Sequence, residues 1–273
     1  MGPALRRNRW SLAPWLSHSI RNKLLAMALL PLLVVLPLLV AALVIWGQTA
    51  YDRLLITKVR SDLAVAHGYF EQVLATVGSG TQAVADSLAL HLALEHSDPA
   101  QLQMLLEREQ ARLGLDFIKL YSPADDLRMS EASLDLLSAP ELLALAPTLV
   151  NRLQIPLVAT RSATATERRL EDRALVMLTT VPVRGPDGTT RALLRGGVLL
   201  NQNLPLIDHI NSIVYPPDAL PLGSHGTATL FLNDVRITTN VQLFQDQRAI
   251  GTRVSQDVHD AVLLRGNTWL DRA

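Results

Sequence analysis

Residues 175–200 read LVMLTTVPVRGPDGTTRALLRGGVLL, and this passage decides the fold. Leu175 to Val183 is apolar and rich in β-favouring residues, and Arg191 to Leu200 is extended again. Between them Pro186-Asp187-Gly188 supplies a preset φ, a side chain that bonds its own backbone, and a residue free to take positive φ. The passage is therefore predicted to be an antiparallel hairpin.

Working upstream, residues 159–173 are polar and hold Arg161, Arg168, Arg169 and Arg173 among Glu167, Glu171 and Asp172. Such a run is expected to be a solvated loop. Before it, a helical segment is predicted around Ser138 to Leu153, and Phe117-Ile118-Lys119-Leu120-Tyr121 reads as a short strand closed by Ser122-Pro123. Asp98-Pro99 opens a helix that runs from Ala100 to about Leu113, with Asp98 as its cap. Further back, Leu55, Val59, Leu63, Ala66, Phe70, Val73 and Val77 recur at steps of three and four. Val84, Leu88 and Leu92 resume the same phase past Gly78-Ser79-Gly80, so one amphipathic helix is predicted to about His96.

Downstream, a short helix is expected over Leu204 to Ile213, then a Pro-rich connector from Tyr215 through Gly223. Thr227 to Leu232 and Val235 to Asn240 form a second predicted hairpin across Asn233-Asp234, a pair suited to positive φ. Asp257 to Leu264 reads as helix, and Thr268-Trp269-Leu270 as the start of another strand. The fold class is α+β.

Leu24 to Trp46 carries no charge and no polar side chain, a length that suits a hydrocarbon core about 30 Å thick. Residues 1–23 hold Arg6, Arg7, Arg9, Arg21 and Lys23 and no acid, and the first carboxylate is Asp52. By the bias of basic residues, the expectation is an uncleaved transmembrane helix with a cytoplasmic N-terminus and an extracytoplasmic remainder. Trp15 and Trp46 suit the two interfaces, and the lipid bilayer is then a partner. The expected domains are 1–23, a basic N-terminus; 24–46, the span; 47–214, an exit helix with a first sheet module; and 215–273, the start of a second.

The 273 residues balance 25 basic against 25 acidic side chains. Setting aside the five N-terminal cations leaves 20 basic against 25 acidic, which argues against a nucleic-acid partner. Without cysteine there is no disulfide, thiol catalysis or cysteine-bound zinc. No Gly-x-Ser-x-Gly elbow, phosphate-cradling glycine loop or His-Glu-x-x-His helix is present, and His91 and His96 are five apart, on different helical faces. No cofactor is expected and no residue is assigned a catalytic role.

Arg195 to Asn201, Asp208 to Tyr215 and above all Gly226 to Val241 (GTATLFLNDVRITTNV) carry a resemblance. Together with Ala249 to Val254 and Thr268 to Ala273, they resemble the double Cache sensory domain of bacterial membrane-bound sensor histidine kinases. The resemblance covers roughly residues 48–273 and implies two PAS-like antiparallel sheet modules, the second incomplete. It also implies a bacterial inner-membrane protein with its bulk in the periplasm, a sensory domain that binds a small ligand for transmembrane signalling in a two-component system, and a homodimer when full length. On this reading the chain is an N-terminal fragment or a truncated product and not itself an enzyme, the kinase domain lying elsewhere. The alternatives are the sensory part of a chemoreceptor or cyclic-dinucleotide enzyme, or a membrane-tethered periplasmic enzyme.

For the ligand, Lys119 and Arg195 stand out as cations on otherwise apolar strands. With Tyr121 and the hydroxyls of Thr179 and Thr180 nearby they would suit a carboxylate or other anion, with Arg161 as a further candidate. The alternative is that both cations point to water from the solvated face of a sheet.

Overall fold

From Ile20 the chain meets no strong helix breaker except Pro31 and Pro37, and a single helix, α1, runs Ile20–Ala85. The structure, a computed structural model, describes residues 20–96, 98–125, 127–217, 226–243 and 247–269. It divides into two units, Met1–Arg60 and Ser61–Ala273.

In the first unit, the described side chains from 31 to 47 are all exposed, Leu33 at 74% and Trp46 at 80%. The expected bilayer crossing does not stand. Among the described residues no helix is long and apolar enough to cross a membrane. The apolar run is not an element of its own but the opening of a helix whose continuation carries Asp52, Arg53, Lys58 and Arg60. The transmembrane helix goes with that finding, and so does the inner-membrane placement with its cytoplasmic and periplasmic sides. Trp15, Arg6, Arg7, Arg9 and the side chain of Leu55 lie outside the described residues.

In the second unit, α1 ends earlier than its apolar stripe suggests. Ser87 stops it: its hydroxyl donates to the Val84 carbonyl at 2.7 Å and accepts from the Leu90 amide at 3.2 Å, which starts α2, Leu88–His96. The break rotates the buried face, so Leu90 and Ala93 are buried while Leu88 and Leu92 are exposed. Gly78 and Gly80 do not kink the helix. They let it approach its neighbours: a Cβ at 78 would stand 3.0 Å from the Ala132 Cβ, and one at 80 would stand 2.9 Å from a Leu113 methyl.

Helix α3, Pro99–Leu113, is capped by Asp98, which accepts from the Ala100 and Gln101 amides, and it closes on Gly114 at φ 65°. Four strands follow in a sheet ordered β1-β6-β5-β2, every pairing antiparallel: β1 Phe117–Tyr121, β2 Ser130–Leu137, β5 Ala174–Arg184 and β6 Thr190–Leu199. Strand β2 is an addition to the sequence reading. Between β2 and β5 lie α4 (Ala139–Leu145), a 3-10 turn (Pro147–Leu149) and α5 (Val150–Leu153), followed by β3 (Ile155–Pro156) paired with β4 (Leu170–Glu171). Helix α6, Leu204–Val214, leads to the second hairpin, β7 Thr229–Leu232 and β8 Val235–Thr239, with Asn233 at φ 53° in its turn. Helix α7, Gln256–Val258, continues as a π-helical turn over His259–Leu264. Thr268 and Trp269 are not in a strand, and Leu270 lies outside the described residues.

Alternation along the strands gives the sheet two covered faces. Ile118, Met177, Val181 and Leu194 pack with Val77 and Val84 of α1 and Leu90 of α2. Phe117, Val176, Leu178 and Leu199 pack with Leu142 and Leu145 of α4 and with Leu149 and Leu153. This is the α+β arrangement with antiparallel sheets that the sequence implies.

Candidate functional site

Strand register decides which of the candidate residues can act together. Lys119 lies directly opposite Arg195 in the β1–β6 pairing, and Arg195 lies opposite Thr180 in the β6–β5 pairing. Tyr121 is two residues from Lys119 and so shares its face. The four half-buried or buried side chains of Lys119, Tyr121, Arg195 and Thr180 therefore occupy one face, that of α4. Thr179 points to the opposite face. It is buried, and its hydroxyl donates to the Ser130 carbonyl at 3.1 Å. Arg161 is exposed in a turn between β3 and β4. The structure thus brings together Lys119, Tyr121, Arg195 and Thr180 and leaves Thr179 and Arg161 apart from them.

Neither cation of the row is ion-paired among the described residues. Lys119 Nζ donates to the Ala144 carbonyl at 2.8 Å, near the C-terminal end of α4 where a cation is favoured. Arg195 Nε donates to Thr180 Oγ1 at 3.0 Å. Glu141 feels the charge of Arg195, but its carboxylate is engaged in a capping box: it accepts from the Ser138 hydroxyl at 2.6 Å and from the Ser138 amide at 2.7 Å. Those bonds from Ser138, aided by Arg195, hold the Glu141 carboxyl below the usual range. Burial pushes the Tyr121 phenol up against the opposing pull of Arg195, so it stays a neutral donor.

The polar run at 159–173 is not simply solvated. Glu171 is fully buried. It accepts from Arg173 Nε at 2.7 Å, from Arg173 Nη2 at 2.8 Å, from the Arg173 amide, and from Arg168. Burial pushes its carboxyl up, but the arginine bonds together outweigh that and hold it below the usual range. Arg253 ties the same loop to the second hairpin, donating to Asp234 at 2.6 Å and to the Thr164 carbonyl. Asp116 forms a second knot that sequence did not single out, accepting from Arg152 at 3.0 Å and from the Leu199 amide at 2.8 Å. On β8, burial pushes the Arg236 guanidinium down. It stacks 5.3 Å from the Phe231 ring, and its Nε is shut from solvent without a hydrogen-bond partner.

Residues 198–273 match the family described as single Cache domain 3. The match is to a Cache-type sensory domain. It begins at the end of β6 and takes in α6 and the β7–β8 hairpin, so the Cache resemblance expected from sequence is borne out there. The crystal structure of the periplasmic domain of Vibrio cholerae LuxQ is similar at 14% identity and TM-score 0.44, covering 76% of this chain and 85% of that one. A selenomethionine form of the same LuxQ domain gives 14% identity and TM-score 0.42, with 69% and 81% covered. A search of curated protein sequences finds no match.

Within and beside the Cache-matched segment, the residues that carry the resemblance hold the fold together. Asn201 is fully buried, accepting from the Leu175 amide at 2.8 Å and donating to the Arg173 carbonyl at 2.9 Å. Asn240 accepts from the Ala228 amide at 2.7 Å. Gly226 lies under the Tyr215 ring, where a Cβ would stand 2.1 Å from the ring carbons. Gly251 has φ +81°, and a Cβ there would stand 2.1 Å from the Pro156 carbonyl oxygen.

Proposed function

We propose that this chain is a sensory module that takes a small anionic ligand on the row Lys119, Arg195 and Thr180, with Tyr121 as a neutral hydrogen-bond donor beside it. One observation carries this reading. Two cations stand directly opposite one another across β1 and β6, an arrangement that disfavours the sheet by up to about 1 kcal/mol unless a charge of opposite sign compensates it. The Glu141 carboxylate, which feels the charge of Arg195, is committed to its own helix cap. A carboxylate or similar oxyanion would bridge the two cations and draw α4 toward the sheet, and its preference for that arrangement would set the signal. The role is that of a two-component sensor's input domain, without catalysis of its own and working as a homodimer.

The test is a thermal-shift screen of the whole chain against acetate, pyruvate, citrate and phosphate at constant ionic strength. A specific anion should raise the melting temperature of the wild type and lose its effect in Lys119→Ala and Arg195→Ala, without being consumed. A panel-wide absence of response, or equal responses in both variants, would refute the reading.

A further inference from the structure

On the other face of the sheet, α1 and the edge strand β2 enclose an open groove of about 420 Å³, within the range of small-ligand sites. Its floor is apolar, formed by Leu74, Ala132 and Val181. Its rim is acidic, with Glu71 from α1 on one side and Glu131 from β2 on the other, and Gln82 and Ser79 supply neutral polar groups. Among the described residues no lysine or arginine lines it. Glu71 is 3.9 Å from His67, which faces it from its own helix, and Gln82 is hydrogen-bonded to a third carboxylate, Asp86, at 2.9 Å.

The groove exists because β2 leaves its partner. Ser130 pairs with Thr180 and Ser133 with Leu178, and the register shifts between them, so Glu131 and Ala132 sit in an irregularity with no partner on β5. Such a bulge bends the strand and re-aims a side chain. Here both unpaired residues line the groove. The contact of Gly78 with Ala132 brings α1 and β2 close beside it. Thr179 is part of the lining too, but its hydroxyl is already bonded to the Ser130 carbonyl, which leaves the two glutamates as the groups free to choose a ligand.

We propose that this groove binds a small organic ammonium ion, its charge held between Glu71 and Glu131 and its short apolar chain laid on Leu74, Ala132 and Val181. A metal ion does not fit the donor set: among the described residues no group of three or more His, Cys, Asp or Glu side chains could hold one. The site rests on the groove and its bulge alone. It lies on the face opposite Lys119 and Arg195 and is independent of the anion reading.

The probes are butylammonium chloride and 1,4-diaminobutane dihydrochloride, with sodium chloride of equal ionic strength and magnesium chloride as controls, on the whole chain. At about ten times the dissociation constant, one of the amines should raise the melting temperature by about 3 °C. Calorimetric titration should give one saturable site. Glu131→Gln, on an exposed bulge of an edge strand, and Glu71→Gln, on an exposed helical position, should each weaken binding at least about tenfold. Ala75→Met, filling the groove from the exposed side of α1 without touching a charge, should do the same. Lys119→Ala and Arg195→Ala should leave amine binding unchanged. The proposal is overturned if neither amine binds, if magnesium or sodium reproduces the shift, or if both glutamine variants bind the amines as the wild type does.

Discussion

Replacing Glu171 by alanine should unfasten the loop that precedes β5 and that Arg253 ties to the second hairpin. The fully buried carboxylate accepts one backbone and three arginine side-chain hydrogen bonds. Removing one member of a buried charge pair costs about 3–5 kcal/mol when the partner is left stranded. Here the partners are not fully stranded, since the side chains of Arg168 and Arg173 keep 43% and 33% of their surface and can turn to water. That screening reduces the expected loss to about 2 kcal/mol. For a chain of this size it corresponds to a fall of about 6 °C in melting temperature. Urea denaturation followed by circular dichroism reads the loss. Limited proteolysis adds a local readout, because cleavage between 159 and 169 should accelerate beyond what global unfolding explains. A loss below about 0.5 kcal/mol, with the loop as resistant to protease as in the wild type, would show that the buried carboxylate does not hold this segment.

Gly251→Ala should destabilise by more than about 1 kcal/mol in the same urea assay, since φ +81° and the Pro156 carbonyl both reject a Cβ. Arg236→Met should raise stability by about 1 kcal/mol, because it removes a half-buried guanidinium whose Nε has no hydrogen-bond partner and keeps the contact with Phe231; a fall would show that the stacking outweighs the desolvation. Glu171 and Asp208, the latter bonded to Arg248 at 2.7 and 2.8 Å, both have carboxyls held below their usual range. Their contribution is present above the unfolded values near 4 and is lost as pH falls through the lower folded values. Stability measured by urea should therefore drop steadily below about pH 4.5 in the wild type and less steeply in Glu171→Ala.

How much was legible in the sequence depended on whether the deciding interaction was local. Strand β1, the β5–β6 hairpin, α3 with its Asp98 cap and the Asn233 turn were all readable, because each is specified by neighbouring residues. Strand β2 was not: Ser130 to Leu137 alternates weakly, lies at a sheet edge and carries the bulge, so neither hydrophobic period nor turn chemistry marks it. The end of α1 at Ala85 was hidden because Leu88 and Leu92 keep the apolar phase while the Ser87 bonds reset the chain. The burial of Glu171 was hidden too, since charges grouped in sequence look the same in a solvated loop as in a knot. The choice between Thr179 and Thr180 is a single-residue question of register, which only pairing with Arg195 settles.

The seat of Gly78 on Ala132 has a mechanical consequence. Sliding α1 along the sheet by one helical turn, about 5.4 Å, would bring Leu74 or Gln82 over Ala132, and neither side chain fits where a hydrogen atom now sits. The glycine thus acts as a detent that blocks axial travel but leaves rocking about that point open. Any movement of this helix against the sheet is then a change of tilt with Ala132 as its fulcrum.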